Sequence, residues 1–194
     1  MAGQLKLEIV VGSVRQGRFG PVVASWITEQ ARQHGGFDIE VIDLADLTFP
    51  GDMAPSPDVD AFAARIEAAD AVVIVTPEYN HAYPGPLKTA IDSIKQPWFG
   101  KPVGLVAYGG MSGGLRAVEG LRVVLAEIHA MTIRDTVSFH LARSRFDESG
   151  APVDPDGTSA AATVMLDSLE WWGHALHNAR EAVPYGTKVD LVTA

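Results

Sequence analysis

The residues best suited to chemistry lie in three short segments, each of which follows an apolar run and precedes a helical pattern. The first, residues 12–20, reads GSVRQGRFG. Glycine lets backbone amides approach a bound group closely, and the N-terminus of the next helix carries partial positive charge. Ser13, Arg15 and Arg18 add a hydroxyl and two guanidinium groups that can bind phosphate through charge-assisted hydrogen bonds. The segment predicts phosphate binding, although a glycine-rich turn with two solvated arginines fits the same residues.

The second segment, residues 76–86, reads TPEYNHAYPGP and follows the most apolar run. Tyr79 offers a planar face for stacking, while Asn80 and nearby amides offer both donors and acceptors. The pyrimidine rim of a flavin needs that mixture, because it presents carbonyl groups and an N–H. An ordinary polar turn is the alternative. For Glu78, a helix-end or subunit-interface carboxylate is favoured over a catalytic acid, because ion pairs also perturb carboxylates.

The third segment, residues 109–114, reads GGMSGG. Its glycines would let the main chain lie against a flat ligand, with the N-terminus of the next helix aimed at that ligand. Such a helix end stabilises negative charge, including the charge that a reduced flavin carries near N1. A flexible loop with glycine for turn geometry alone is the alternative.

The elements that must position these segments alternate along the chain. Strict strand–helix alternation predicts a parallel sheet with helices on both faces, and ligands bind such sheets at the carboxyl ends of the strands. We expect a single domain over residues 1–194. The predicted strands are residues 5–11, 37–44, 71–76, 102–108 and 131–137, and the predicted helices are residues 21–33, 58–69, 86–95, 115–129 and 160–183.

Composition excludes several classes of function. The net charge of −9 disfavours nucleic-acid binding and gives no reason to bind an anionic membrane surface. The absence of cysteine excludes disulfides, thiol nucleophiles and cysteine-ligated metals. No apolar stretch approaches the roughly 20 residues that span a bilayer. We expect a cytoplasmic protein.

Taken together, the three segments resemble the NADPH-dependent FMN reductase family, which includes quinone, azo-dye and chromate reductases. Its most specific mark is PEYN followed by PGPLKTAID, and the similarity covers most of residues 5–137. The resemblance implies a flavodoxin-like three-layer sandwich with strand order 2-1-3-4-5. It also implies three sets of FMN contacts: Ser13, Arg15, Arg18, Phe19 and Gly20 at the phosphate, Pro77, Glu78, Tyr79 and Asn80 along the isoalloxazine and ribityl side, and Gly109, Gly110, Met111 and Ser112 at the pyrimidine end.

The function implied is an FMN-dependent NAD(P)H oxidoreductase. Hydride would pass from the nicotinamide to flavin N5, and two electrons would then pass to a quinone-like or other small acceptor in a ping-pong cycle. Hydride transfer requires no acid or base side chain, so no catalytic residue is predicted. Candidates for the 2′-phosphate of NADPH are Arg15, Arg18 and Arg116, and NADH is the alternative donor.

Family members are typically dimers or tetramers, so a homodimer or homotetramer is expected. Trp98 and Phe99 suit an interface anchor, with core packing as the alternative.

The rival functions are a flavodoxin-type electron carrier and a non-catalytic flavin-binding regulatory protein. No metal site is predicted, because His174 and His177 show no acidic or cysteine partner in the sequence.

Overall fold

The computed structural model describes residues 3–186 of the chain. Its strands are all parallel, and they form one sheet in the order β2-β1-β3-β4-β5. The predicted parallel sheet and its strand order are therefore confirmed. The strands are β1 (Leu5–Val11), β2 (Phe37–Asp43), β3 (Ala71–Pro77), β4 (Pro102–Tyr108) and β5 (Met131–Phe139).

Helices cover both faces of the sheet, as the alternation predicts. The first and last helices pack with each other on one face, and the other three lie on the opposite face. No helix within residues 3–186 has the length and apolar character that a bilayer crossing needs. The helices are α1 (Gly20–His34), α2 (Pro57–Ala68), α3 (Gly85–Asp92), α4 (Leu115–Glu127) and α5 (Pro155–Ala182), with single 3-10 turns at Leu44–Asp46, Gln96–Trp98 and Ala142–Ser144.

The core consists of two apolar layers separated by the sheet. Every residue of β3 and β4 is buried, because these central strands are covered on both faces. Side chains alternate between the layers: Val73 and Val75 pack with α1 and α5, whereas Val72 and Ile74 pack on the other face. This packing fixes the positions at which the strands end, and so the loops that follow them.

Helix ends differ from the predicted bounds where local hydrogen bonds decide them. Helix α5 begins at Pro155, earlier than predicted, because the Asp154 carboxylate accepts from the backbone N–H of Gly157 and proline suits the first helical position. Helix α3 ends at Asp92 rather than at residue 95. The chain turns there and places Trp98 in the core.

A buried carboxylate lies within the sheet, away from the three loop segments. Glu8 on β1 is 3% exposed and receives two hydrogen bonds from the Arg65 guanidinium, each 2.9 Å long. Arg65 also contacts Glu40, whose side chain is exposed, at 3.0 Å. Burial raises the pKa of Glu8 to about 7, although Arg65 opposes that shift.

We expect Glu8→Gln to flatten the pH dependence of stability. A carboxyl group whose pKa rises on folding binds more protons in the folded state, so the free energy of unfolding falls as pH rises from 4.5 to about 7. Urea unfolding at several pH values measures that slope. Glu40→Gln is the matched control, because it removes the exposed carboxylate on the same arginine. An unchanged slope in Glu8→Gln would contradict the assignment.

Candidate functional site

One open cavity of about 650 Å³ lies at the carboxyl edge of the sheet. It is surrounded by the loops that follow β1, β3, β4 and β5. The three segments singled out in the sequence therefore meet at one place, together with a fourth segment. The lining residues are Arg15, Gln16, Gly17, Arg18, Phe19, Pro77, Glu78, Tyr79, Tyr108, Gly109, Gly110, Leu141, Ala142, Arg143 and Ser144.

The loop after β1 presents a run of free backbone donors. Within residues 3–186, no acceptor pairs with the backbone N–H groups of residues 13–17. Helix α1 begins shortly afterwards, at Gly20. Successive free amides beside a helix N-terminus form an anion-binding arrangement. The loop thus offers hydrogen bonds to a phosphate group through its main chain.

The buried side chain of Ser13 packs beside Gly20, and neither residue lines the cavity. The Ser13 hydroxyl is buried and lies 3.1 Å from the Tyr108 hydroxyl. A Cβ on Gly20 would lie 2.5 Å from Ser13 Oγ, so only glycine fits beside this pair. Burial raises the pKa of Tyr108 to about 12, so its phenol stays protonated at neutral pH. The Ser13 side chain supports the loop from below.

The two arginines of this loop differ in their partners. Arg18 donates to both carboxylate oxygens of Asp43, at 2.5 and 2.6 Å, and to the Ser13 carbonyl at 2.7 Å. The hydrogen bonds to Asp43 raise the pKa of Arg18. Arg18 therefore braces the loop against β2 with its charge already neutralised. The exposed Arg15 guanidinium instead lies 5.2 Å from the centroid of the Tyr79 ring.

Glu78 connects the loop after β3 to helix α4. Its carboxylate accepts from the backbone N–H of Arg116 at 3.1 Å and from the Arg116 guanidinium at 3.0 Å. Burial alone would raise the pKa of Glu78, but hydrogen bonds from Ser112 and Arg116 outweigh it and lower the pKa. Gly114, the N-cap residue, has no side chain to cap α4. Glu78 therefore occupies a helix end, which is one of the two positions favoured from the sequence.

This cap changes the electrostatics expected of α4. The sequence predicts that the helix N-terminus points at the ligand, whereas in the structure it first meets the Glu78 carboxylate. Of the third segment, Gly109 and Gly110 line the cavity, but Met111 is 91% exposed and Ser112 bonds Glu78. The Glu78 carboxylate thus offsets the partial positive charge that the N-terminus of α4 would otherwise present to a ligand in the cavity.

Asn80 also lies outside the cavity lining. It has a positive φ of 49° and belongs to a tight turn in which Tyr79 and Ala82 exchange backbone hydrogen bonds. Asparagine is among the residues that adopt this conformation most readily. The structure thus gives Asn80 a role in turn geometry that the sequence prediction of a flavin contact does not include.

Tyr108 and the loop after β5 were missed by sequence reasoning. Tyr108 is the last residue of β4, and residues 141–144 form the fourth wall of the cavity. Ligands bind at the carboxyl ends of parallel strands. That rule applied to β5 would have pointed to this stretch, in which residues 140–145 include no glycine and so lack the signal that marked the other segments.

The structure also bears on two points that the sequence left open or incomplete. Trp98 is fully buried against Phe62, so it belongs to the core and does not serve as a surface anchor. His177 does have an acidic partner: its Nδ1 lies 2.7 Å from Asp70.

Comparison with known proteins decides the family. A family profile described as NADPH-dependent FMN reductase matches residues 5–144, which include every residue that lines the cavity. The chain belongs to this family. The membership confirms the predicted FMN-dependent NAD(P)H oxidoreductase and its class of cofactor.

Individual relatives agree with this assignment. An NAD(P)H-dependent FMN reductase of Schizosaccharomyces pombe is 38% identical over 120 residues, covering 56% of this chain and 60% of that protein. The alignment thus spans less than two thirds of that relative. An FMN-dependent NADPH-azoreductase of Staphylococcus haemolyticus is 30% identical over 85% of this chain and 93% of its own. A quinone reductase of Escherichia coli is 36% identical over 69% and 76%, respectively.

A solved structure supports the flavodoxin-like fold. The flavoenzyme NAD(P)H:(acceptor) oxidoreductase FerB from Paracoccus denitrificans superposes with a TM-score of 0.73, covering 88% of this chain and 98% of its own. Sequence identity with FerB is 22%, so this likeness concerns the fold.

Proposed function

We propose that the cavity at the carboxyl edge of the sheet holds FMN and that the enzyme passes two electrons from NAD(P)H to a quinone-like or other small acceptor. The observation that carries the proposal is the run of free amides at residues 13–17 beside the N-terminus of α1. A phosphate group satisfies such donors. FMN would supply the hydride chemistry, and the chain would supply position and electrostatics.

The residues around the cavity fit the parts of FMN. The amides of residues 13–17 and the Arg15 guanidinium would hold the phosphate, with Arg18 fixing the loop. Tyr79 and Gly110 lie at the walls where the ring would rest. We propose that the other predicted residues shape the loops around FMN. They are Ser13, Phe19 and Gly20 in the phosphate loop, Pro77, Glu78 and Asn80 in the second loop, and Gly109, Met111 and Ser112 in the third.

The open, partly apolar cavity supports exchange of donor and acceptor at one place. Phe19, Pro77 and Leu141 provide apolar surface beside the polar loops, which suits a planar acceptor. A donor that must leave before the acceptor enters gives the ping-pong cycle expected from the sequence. The quinone reductase and azoreductase names of relatives agree with acceptors of this shape.

Assembly, location and domain organisation belong to the same proposal. Helix α4 carries exposed apolar side chains, with Val123 at 73% and Leu115 at 44% exposure, beside the exposed Met111. Apolar surface of this kind favours a homodimer or homotetramer. A cytoplasmic location and a single domain over residues 1–194 remain predictions.

The test begins with the purified protein titrated with FMN while flavin fluorescence is followed. We expect one FMN per chain, then loss of the flavin's visible absorbance on anaerobic addition of NADPH or NADH, and its return when a quinone is added. Failure to bind FMN would contradict the proposal. Binding without reduction by either nucleotide would favour an electron carrier instead.

A further inference from the structure

Four arginines lie at or beside the cavity, and only two of them carry a charge that a carboxylate neutralises. Arg18 pairs with Asp43, and Arg116 pairs with Glu78. Within the described part of the chain, no carboxylate pairs with Arg15 or with Arg143. Arg18 and Arg116, two of the three arginines that the sequence suggested for the 2′-phosphate of NADPH, are therefore already paired with carboxylates. Arg143 was not among those candidates.

Arg143 is held in place without losing its charge. Its Nη2 donates to the Gly17 carbonyl at 3.1 Å, and its guanidinium carbon lies 5.5 Å from the centroid of the Phe19 ring. Both partners are uncharged, and both belong to the loop whose amides are free. A guanidinium has five N–H donors. Most of the donors of Arg143 are therefore available to an anion.

The segment that carries Arg143 is fixed to the rest of the site. The backbone N–H of Leu141 donates to the Gly110 carbonyl at 2.8 Å, and that of Ala142 donates to the Gly109 carbonyl at 3.0 Å. Leu141 adopts a positive φ of 51° and lines the cavity. Arg143 thus spans from the loop after β5 to the loop after β1 at a defined position.

We propose that Arg143 is a phosphate-recognition residue of this cavity and binds a phosphomonoester dianion of the bound ligand. The proposal rests on the function proposed above, in which two phosphomonoesters reach the site. One is the 5′-phosphate of FMN, and the other is the 2′-phosphate of NADPH. Both present oxygens in the geometry that a planar guanidinium binds with two parallel hydrogen bonds.

The experiment compares ligands that differ in that phosphate alone. Arg143→Gln and Arg143→Lys are assayed for the Kd of FMN against riboflavin, and for the KM of NADPH against NADH. We expect Arg143→Gln to reduce the preference for the phosphorylated member of at least one pair by about tenfold, the size of one lost charge-assisted contact. Lysine keeps the charge without the planar fork, so Arg143→Lys should recover part of the preference.

Arg145→Gln is the matched control. Arg145 is an exposed arginine near Arg143 that also donates to one carbonyl, that of His140 at 3.3 Å, but it does not line the cavity. We expect its ligand preferences to equal those of the wild type. Unchanged riboflavin binding in Arg143→Gln would show that the variant keeps its fold.

The two ligand pairs identify the source of the phosphate. A loss confined to FMN over riboflavin assigns Arg143 to the flavin phosphate, and a loss confined to NADPH over NADH assigns it to the nucleotide. If both preferences stay within about twofold of the wild type, the inference about Arg143 is overturned while the proposed function stands. A wild-type protein that binds neither FMN nor NADPH overturns both.

Discussion

Gly114→Ala is expected to lower the free energy of unfolding by about 2–5 kcal/mol, the sum of backbone strain and overpacking. Gly114 has a φ of +91°, which an L-residue adopts only with strain. Its added Cβ would also lie 2.7 Å from Ala107 Cβ and 2.8 Å from Tyr108 N. Both neighbours belong to the buried strand β4 and cannot move aside. Urea unfolding of the FMN-free protein measures the effect.

Gly110→Ala is the control for this prediction, because Gly110 belongs to the same loop. A Cβ added at Gly110 would have no atom within 4 Å of it, and the residue lines the cavity. We expect its stability to stay within about 0.5 kcal/mol of the wild type, while FMN affinity falls because a methyl group intrudes on the ring. Equal destabilisation of both variants would show that any glycine of this loop is costly to replace, whatever its φ and its contacts, and the argument from φ and contact at Gly114 would be wrong.

The fold could be predicted because its signals are local. Buried parallel strands are continuous apolar runs, as in Ala71–Pro77, and glycine or proline marks where they end. Strict alternation with helical patterns then leaves few topologies. The bounds of α3 and α5 could be predicted less well, since they depend on a capping carboxylate at Asp154 and on the burial of Trp98.

The site could be predicted only in part, because the ion pairs that hold its loops join residues that are far apart in the sequence. Glycine and proline mark the three loops, but nothing near Arg18 shows that Asp43, which is 25 residues away, neutralises it. The glycines of residues 109–114 are also needed for different reasons. A Cβ at Gly110 would face open space, whereas at Gly114 the positive φ and the close contacts with β4 leave no room for a Cβ. Composition alone does not separate these purposes, and no glycine stands within residues 140–145 to draw attention to Arg143.

Glu78→Gln is expected to weaken the coupling between the second and third loops. The neutral amide is a poorer cap for α4, so stability should fall by about 1 kcal/mol, and FMN affinity should fall with it because both loops line the cavity. Removing a negative charge beside the cavity should also shift the flavin redox potential to a more positive value. Urea unfolding, FMN titration and an anaerobic potential measurement check the three effects separately.

Arg116→Gln separates the cap from the ion pair. That variant loses the guanidinium, whose side chain is 52% exposed, but it keeps the backbone N–H that Glu78 accepts. Because about half of that side chain is exposed, solvent screens its interaction with Glu78, so the stability of Arg116→Gln should change by less than about 1 kcal/mol.

The two variants should also differ with pH. Because the pKa of Glu78 is lowered on folding, its contribution is present above 4.5 and is lost as pH falls further. The advantage of the wild type over Glu78→Gln should therefore shrink in acid. If Arg116→Gln matched Glu78→Gln in stability, potential and acid response, the ion pair and not the helix cap would be what Glu78 provides.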